Sequence, residues 1–250
     1  MIKNNNDDDE ISKILEISIR NNLIVPYYQP IVNNISQKVE KYEALMRINF
    51  NNRILIPKDF MHYSIKNGIY PDLSLQMIQK IFNDVNIFNI KVSINLTMQD
   101  ICNENITLKI YELLKKCKYT ENITFEIVEI FHILDTDKFT KFANEIKNFN
   151  AKLSIDDFGS GYSNFEYFSK FDFDYIKIDG LFIKDILTNK KHQNIINSLL
   201  LLVKDTNIKL IAEFVENESI FKKLKELGIH FSQGYYFGKA IPIKEIKEVV

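Results

Sequence analysis

The sequence predicts an α/β fold, a (β/α)8 barrel of the TIM type, and three observations point to it. The chain has 250 residues, the usual size of one such barrel. Short apolar strand-like runs alternate with helical stretches of about 10 to 17 residues, the pattern of repeated βα units and a mostly parallel sheet. No Pro/Ser-rich linker or shift in composition divides the chain, so one closed barrel fits better than two domains. An open doubly wound sheet is the alternative. The opening is irregular: two strand-like runs meet with no helix between them, which predicts an antiparallel pair.

The elements follow in order. A helix is expected from about Asp9 to Arg20, with acidic residues at its start to suit the helix dipole. Residues 1–22 form this lead-in and 23–250 a single domain. Strands Ile24 to Val32 and Val39 to Ile48 flank a turn at Asn33-Asn34-Ile35-Ser36. Helices follow Pro57 and Pro71, the second running to about Val85. Then come strand Lys91 to Asn95, helix Met98 to Cys117, strand Ile123 to Val128 and helix Asp137 to Phe149. Strand Lys152 to Ile155 leads into a glycine-containing loop, then strand Tyr175 to Ile178. Helix Lys190 to Thr206, strand Lys209 to Ala212, helix Glu218 to Leu227, strand Ile229 to Ser232 and a helix from Pro242 complete the chain.

Composition excludes several classes. At 46% hydrophobic and 26% charged the chain can build a core and is not disordered in general. With 32 basic and 33 acidic residues, net −1, it has no global basic field for nucleic acid or an anionic membrane. No apolar run approaches the ~20 residues of a membrane span, and the Asn/Asp-rich start is no signal peptide. Cys102 and Cys117 read as free thiols in a reducing cytoplasm. Only Arg20, Arg47 and Arg53 are arginine, so a well-placed Arg is informative.

Catalytic groups of a barrel come from the C-terminal ends of its strands. Glu43 and Arg47 lie in one strand with Leu45 between, and the two-residue period puts all three on one face. Asn95, Glu126, Asp156, Asp157, Lys177, Asp179, Glu213, Glu216 and Gln233 each fall in or just after a strand. Asp157, Asp179 and Glu216 also suit helix N-caps. Glu43, Glu126 and Lys177 sit inside strands, where a buried charge needs a partner. Converging carboxylates repel one another, and oxygen donors without Cys or His suit Mg²⁺ or Mn²⁺. The loop Asp156 to Ser163 carries Gly159 and Gly161 but lacks the lysine of a phosphate-binding loop, and it reads as mobile and ligand-responsive.

These residues resemble the EAL-domain cyclic di-GMP phosphodiesterases over about Leu23 to Val250. The motifs stand here as Gln29-Pro30-Ile31, Glu43-Ala44-Leu45-Met46-Arg47, Asn95-Leu96-Thr97, Glu126-Ile127-Val128-Glu129, Asp156-Asp157-Phe158-Gly159, Lys177-Ile178-Asp179, Ala212-Glu213-Phe214-Val215-Glu216 and Gln233-Gly234-Tyr235. The resemblance implies a modified (β/α)8 barrel with one antiparallel strand. It implies hydrolysis of cyclic di-GMP to linear pGpG with two Mg²⁺ or Mn²⁺ ions. Glu43, Asn95, Glu126 and Asp156 correspond to a first metal site, and Asp156, Asp157 and Glu213 to a second. Lys177 corresponds to the residue that holds and activates the attacking water, so the expected catalytic set is Lys177, Glu213 and Glu43. Arg47 corresponds to a phosphate contact with Leu45 beside it, Gln29 to a further substrate-side residue, and Glu216 and Gln233 to contacts with metal water or substrate. Glu129 corresponds to an anchor of the glycine loop.

A cytoplasmic enzyme, with a homodimer implied by the family, is the expectation. The alternative is a non-catalytic module that binds cyclic di-GMP or a protein partner. Phe214 favours that alternative, because it stands where the family usually has Gly. If the strand continues to 214, an inward Glu213 implies an outward Phe214, and Phe214→Gly should raise turnover by less than about tenfold. Ala240 for a common Pro, Ile48 for an aromatic and Ser160 for Thr are lesser departures.

Overall fold

The computed structural model describes residues 5–128, 135–159, 168 and 170–246. Its strands are β1 (Ile24–Asn33), β2 (Val39–Phe50), β3 (Arg53–Leu55), β4 (Val92–Leu96), β5 (Ile123–Ile127), β6 (Lys152–Phe158), β7 (Tyr175–Ile178), β8 (Lys209–Ala212), β9 (Phe231–Gln233) and β10 (Ile241–Pro242). The order around the sheet is β1, β2, β4, β5, β6, β7, β8, β9, and pairing of β1 with both β2 and β9 closes the ring. The seven strands from β2 to β9 in that ring run parallel. β1 is antiparallel to both its neighbours. The irregular opening of the sequence is therefore the one antiparallel strand of the barrel.

Helices cover the outside. Tyr70–Phe88 buries Leu73, Met77, Ile78, Ile81 and Val85 at helical spacing, and Thr136–Asn148 buries Phe139, Phe142, Ala143 and Ile146. Both are amphipathic stripes that pack against the strands' outward side chains. Caps fix their starts where the sequence offers them: Asp135 accepts from Lys138 N–H, and Asn217 accepts from Ile220 N–H ahead of helix Glu218–Leu227. Among the described residues no helix is long and apolar enough to cross a membrane.

Several boundaries differ from expectation. The first helix begins at Asn5. The stretch Met98 to Cys117 is two helices, Met98–Cys102 and Glu104–Lys116, because Asn103 caps the second through Asn105 and Ile106 N–H. An unforeseen hairpin joins β2 to β3 through Asn51 and Asn52, both at positive φ, a conformation asparagine tolerates. β8 ends at Ala212, so the strand does not continue to Phe214.

Candidate active site

Side chains at every second strand position enter the barrel, and two layers follow from the register. The lower layer holds Ile31, Tyr175, Ile211 and Phe231, which form an apolar cluster of their own. Ser93, Thr124, Ser154 and Lys41 belong to the same layer by register. Two residues further toward the mouth on each strand stand Glu43, Asn95, Glu126, Asp156, Lys177, Glu213 and Gln233. Gln29 joins them from the antiparallel strand, opposite Glu43. A run of local alternations thus assembles one strongly polar ring above a floor of apolar and small polar residues with Lys41 among them.

Lys177 is the centre of that ring. Its ammonium lies 2.6 Å from Glu126 Oε1, 2.6 Å from Glu213 Oε1, 3.0 Å from Asp156 Oδ1 and 3.4 Å from Glu43 Oε2. Lys177 is 1% exposed. Burial disfavours its charge, yet Asp156, Glu126, Glu213 and Glu43 carry its pKa well above the ordinary lysine value. Glu43 is oriented from three sides. Asn95 Nδ2 donates to its Oε1 at 2.8 Å, and Gln233 Nε2 donates to its Oε2 at 2.6 Å. Gln233 Nε2 also reaches Gln29 Oε1 at 3.2 Å, and Gln29 Nε2 reaches Gly238 O at 3.2 Å. Burial raises Glu43, but Lys177 and these donors outweigh it and hold the carboxyl below its usual value.

The other carboxylates are less well compensated. Burial, with Asp156 and Glu43 nearby, pushes Glu126 well above the ordinary range in spite of Lys177. Burial and Asp156 carry Glu213 to about 8, and burial, Asp156 and Asp179 carry Asp157 to about 6. Asp156, Asp157 and Glu213 offer oxygen atoms that all lie within 4.8 Å of one another. Glu126 Oε2 and Asn95 Oδ1 are buried without a hydrogen-bond partner among the described residues. Unpaired buried oxygens and raised carboxyl pKa values mark a place short of positive charge. An oxygen-only donor set of this kind fits hard divalent cations.

The remaining predicted residues fall around the ring. Arg47 is half-buried; its Nη1 donates to Met46 O at 2.8 Å and its guanidinium lies 5.9 Å from the Tyr27 ring centre. Asp179 caps the helix Gly180–Ile183 by accepting from Leu181 N–H at 2.6 Å. Glu216 is exposed and is not among the four carboxylates on Lys177. Gly159 has φ +102, and a Cβ there would overlap the Phe182 ring. Glu129 and Gly161 lie outside the described residues.

Phe214 corrects one step of the sequence argument. It follows the strand instead of extending it, at φ +53, where a bulky side chain costs roughly 1–2 kcal/mol. Its ring packs where a Cβ on Gly180 would be, and Lys184 Nζ lies 4.6 Å from its centre. Glu213 keeps its contact with Lys177.

Sequence reasoning missed two features. Lys41 is 2% exposed, its ammonium 3.6 Å from the Tyr175 ring centre and without a hydrogen-bond partner among the described residues. Burial lowers its pKa to about 7. Its spacing of two from Glu43 was the available signal. The second is a cavity of about 710 Å³ beside β2 and β4, which Leu45, Asn95 and Asp156 connect to the ring. Met46, Met61, Met77 and Met98 line it, every methionine of the chain but the first. Such adaptable side chains suit a site that accommodates an apolar ligand.

Comparison with known proteins shows the family of the fold. The profile of the EAL domain matches residues 12–240. The chain is 31% identical over 253 residues to the cyclic di-GMP phosphodiesterase PdeA of Borreliella burgdorferi, covering 97% of this chain and 37% of that protein. It is 29% identical over 239 residues to the cyclic di-GMP phosphodiesterase PdeB of Shewanella oneidensis, covering 90% and 27%. The chain thus spans about a third of the length of these curated relatives. The crystal structure of an EAL domain protein from Listeria monocytogenes superposes with a TM-score of 0.87 at 29% identity, covering 95% of this chain and 96% of that one. With the profile running over nearly its whole length, the chain belongs to the EAL domain family.

Proposed function

We propose that this domain hydrolyses cyclic di-GMP to linear pGpG with the help of two Mg²⁺ or Mn²⁺ ions. The observation that carries the reading is the ring itself: Glu43, Glu126, Asp156 and Glu213 converge on Lys177, with Asp157 beside Asp156 and Glu213. The relatives named as cyclic di-GMP phosphodiesterases supply the substrate. Glu43, Asn95, Glu126 and Asp156 would hold one cation, and Asp156, Asp157 and Glu213 the other. Bound there, the cations supply the Lewis acidity that eases deprotonation of water and stabilises an in-line displacement.

The chain's own residues do the rest. Lys177, whose ammonium stands among these carboxylates, holds the attacking water and steers its proton. Arg47 at the mouth presents a planar fork to a non-bridging phosphate oxygen. The water oxygen bonds to phosphorus, the bond from phosphorus to the ribose 3′ oxygen breaks, and that oxygen takes a proton. One guanine enters the methionine-lined cavity, which opens next to Asn95 and Asp156. Gln233 and Asn95 hold Glu43 in place throughout. Incubation of the purified protein with cyclic di-GMP and Mn²⁺, read by chromatography, is expected to yield pGpG. Unchanged cyclic di-GMP after prolonged incubation would overturn the reading.

A further inference from the structure

We infer that Phe214 is a stacking platform for the second purine base of the ligand; this rests on the proposed function and deepens it. The first argument is position. The methionine-lined cavity lies at the seam of β2 and β4. Phe214 follows β8 and packs on Gly180, which follows β7, so it marks the seam of β7 and β8. Around the closed ring those seams are separated by β4, β5, β6 and β7 in one direction and by β8, β9, β1 and β2 in the other. Cavity and aromatic ring therefore stand on opposite sides of the mouth, with the carboxylates between them. A two-fold symmetric cyclic dinucleotide whose phosphate lies on the carboxylate ring presents its two bases to opposite sides.

The second argument is that the ring is held out at a cost. Phe214 is the one bulky side chain at positive φ among the described residues; the others there are Asn, Gln, Asp and Gly. The strain is not repaid by burial, since Phe214 remains 50% exposed. An outlier maintained by its surroundings at a functional site points to a role for the strained conformation. Those surroundings are specific. Gly180 has no Cβ to obstruct the ring, and Lys184 sets its ammonium against it. The ring is fixed before any ligand arrives, which lowers the entropic cost of stacking on it. A base stacked on an aromatic side chain contributes enough to change affinity by about 5- to 150-fold.

The test compares wild type with Phe214→Ala, Phe214→Gly, Phe214→Leu and Phe214→Trp. Dissociation constants for cyclic di-GMP by calorimetry, KM, kcat and thermal midpoints are measured on each. The Ala and Gly variants are expected to raise Kd and KM about tenfold while kcat changes less. The Trp variant retains wild-type affinity and the Leu variant does not. Phe214→Gly is expected to melt higher than wild type, so affinity and stability move in opposite directions, which a merely structural role would not produce. A Kd for Phe214→Ala within about twofold of wild type, or full rescue by Leu, overturns the inference. Wild type that binds the dinucleotide through Phe214 but makes no pGpG overturns only the catalytic reading. Wild type that does not bind it overturns both.

Discussion

Lys177 Nζ and Glu126 Oε1 stand 2.6 Å apart with 1% and 0% of their side chains exposed. An ion pair so deep is held by geometry more than by net energy, since desolvation offsets much of the attraction. Replacing Lys177 with Ala removes the only donor that the four carboxylates share among the described residues. We predict a loss of about 10²- to 10⁴-fold in turnover with Mn²⁺ binding retained, measured by initial rates and by calorimetric titration. Turnover close to wild type would remove the water-handling role.

Glu43→Ala should empty one metal site and abolish turnover. Glu43 is also the acceptor for Asn95 and Gln233, so its loss strands two donors. Equilibrium dialysis should show binding falling from two ions per chain toward one. Retention of both ions, with activity lost, would mean that Glu43 acts on substrate instead.

The pH dependence of metal stabilisation has a definite sign. Glu213 is raised to about 8 and Asp157 to about 6, in each case first by burial. The native state without cations then binds more protons than the unfolded chain, so its stability is full below the ordinary carboxylate range and declines as pH rises through those values. Cations that neutralise the cluster remove this penalty. The gain in melting temperature on adding Mn²⁺ should therefore grow from about pH 6 to about pH 8. A gain that shrinks over this range contradicts the assignment of these carboxylates to metal.

Much of this was legible because it is local. Alternation put Glu43, Leu45 and Arg47 on one face, the other parallel strands showed a polar side chain in or just after an apolar run, and the turn from β1 to β2 lacks room for a helix. Phe214 was not legible in the same way. Its direction depended on whether β8 continued past Ala212, and past that residue the chain leaves the strand, with Val215 N–H bonding to Gln233 O of the neighbouring β9 at 3.0 Å. That partner lies 18 residues away, outside the reach of a periodicity argument. The β2–β3 hairpin was marked by Asn51-Asn52, a turn signal overshadowed by the longer strand before it. Lys41 escaped notice because a lysine in a strand reads as solvent-facing, while the floor of a barrel takes it inward onto Tyr175.

Gly180→Ala tests the fit beneath Phe214. Alanine at the start of a helix ordinarily stabilises by reducing the freedom of the unfolded chain. Here the new Cβ overlaps Cβ and the ring of Phe214, and we expect a loss of about 1–3 kcal/mol. In the Phe214→Gly background the same substitution should be neutral or stabilising. Equal losses in both backgrounds, by chemical denaturation, would show that the two residues are independent.

His230 gives a switch of the opposite sense. Its Nδ1 accepts from Leu210 N–H at 3.1 Å, which requires the unprotonated form. Burial, then Lys209, lowers its pKa below the ordinary 6.5. Below 6.5 the unfolded chain takes up a proton that the native state refuses, so this contribution is present above 6.5 and fades as pH falls toward the depressed native value. Replacing His230 with Gln should flatten the stability profile just below pH 6.5. An unaltered slope there would mean that the ring does not titrate in the transition.

The antiparallel strand sets the order in which this protein can be assembled. Gln29 faces Glu43 only fourteen positions along, yet its side-chain partners Gln233 and Gly238 are 204 and 209 positions away. A chain emerging from the ribosome can form the β1–β2 hairpin early from neighbouring residues. The second edge of β1 must then wait, unpaired, until β9 has been made. Long-range closure of this kind slows folding and leaves an open edge that invites association with other chains. The same event that seals the barrel brings Gln233 to Glu43, so a molecule that has not finished folding also lacks the full set of hydrogen bonds around its first carboxylate.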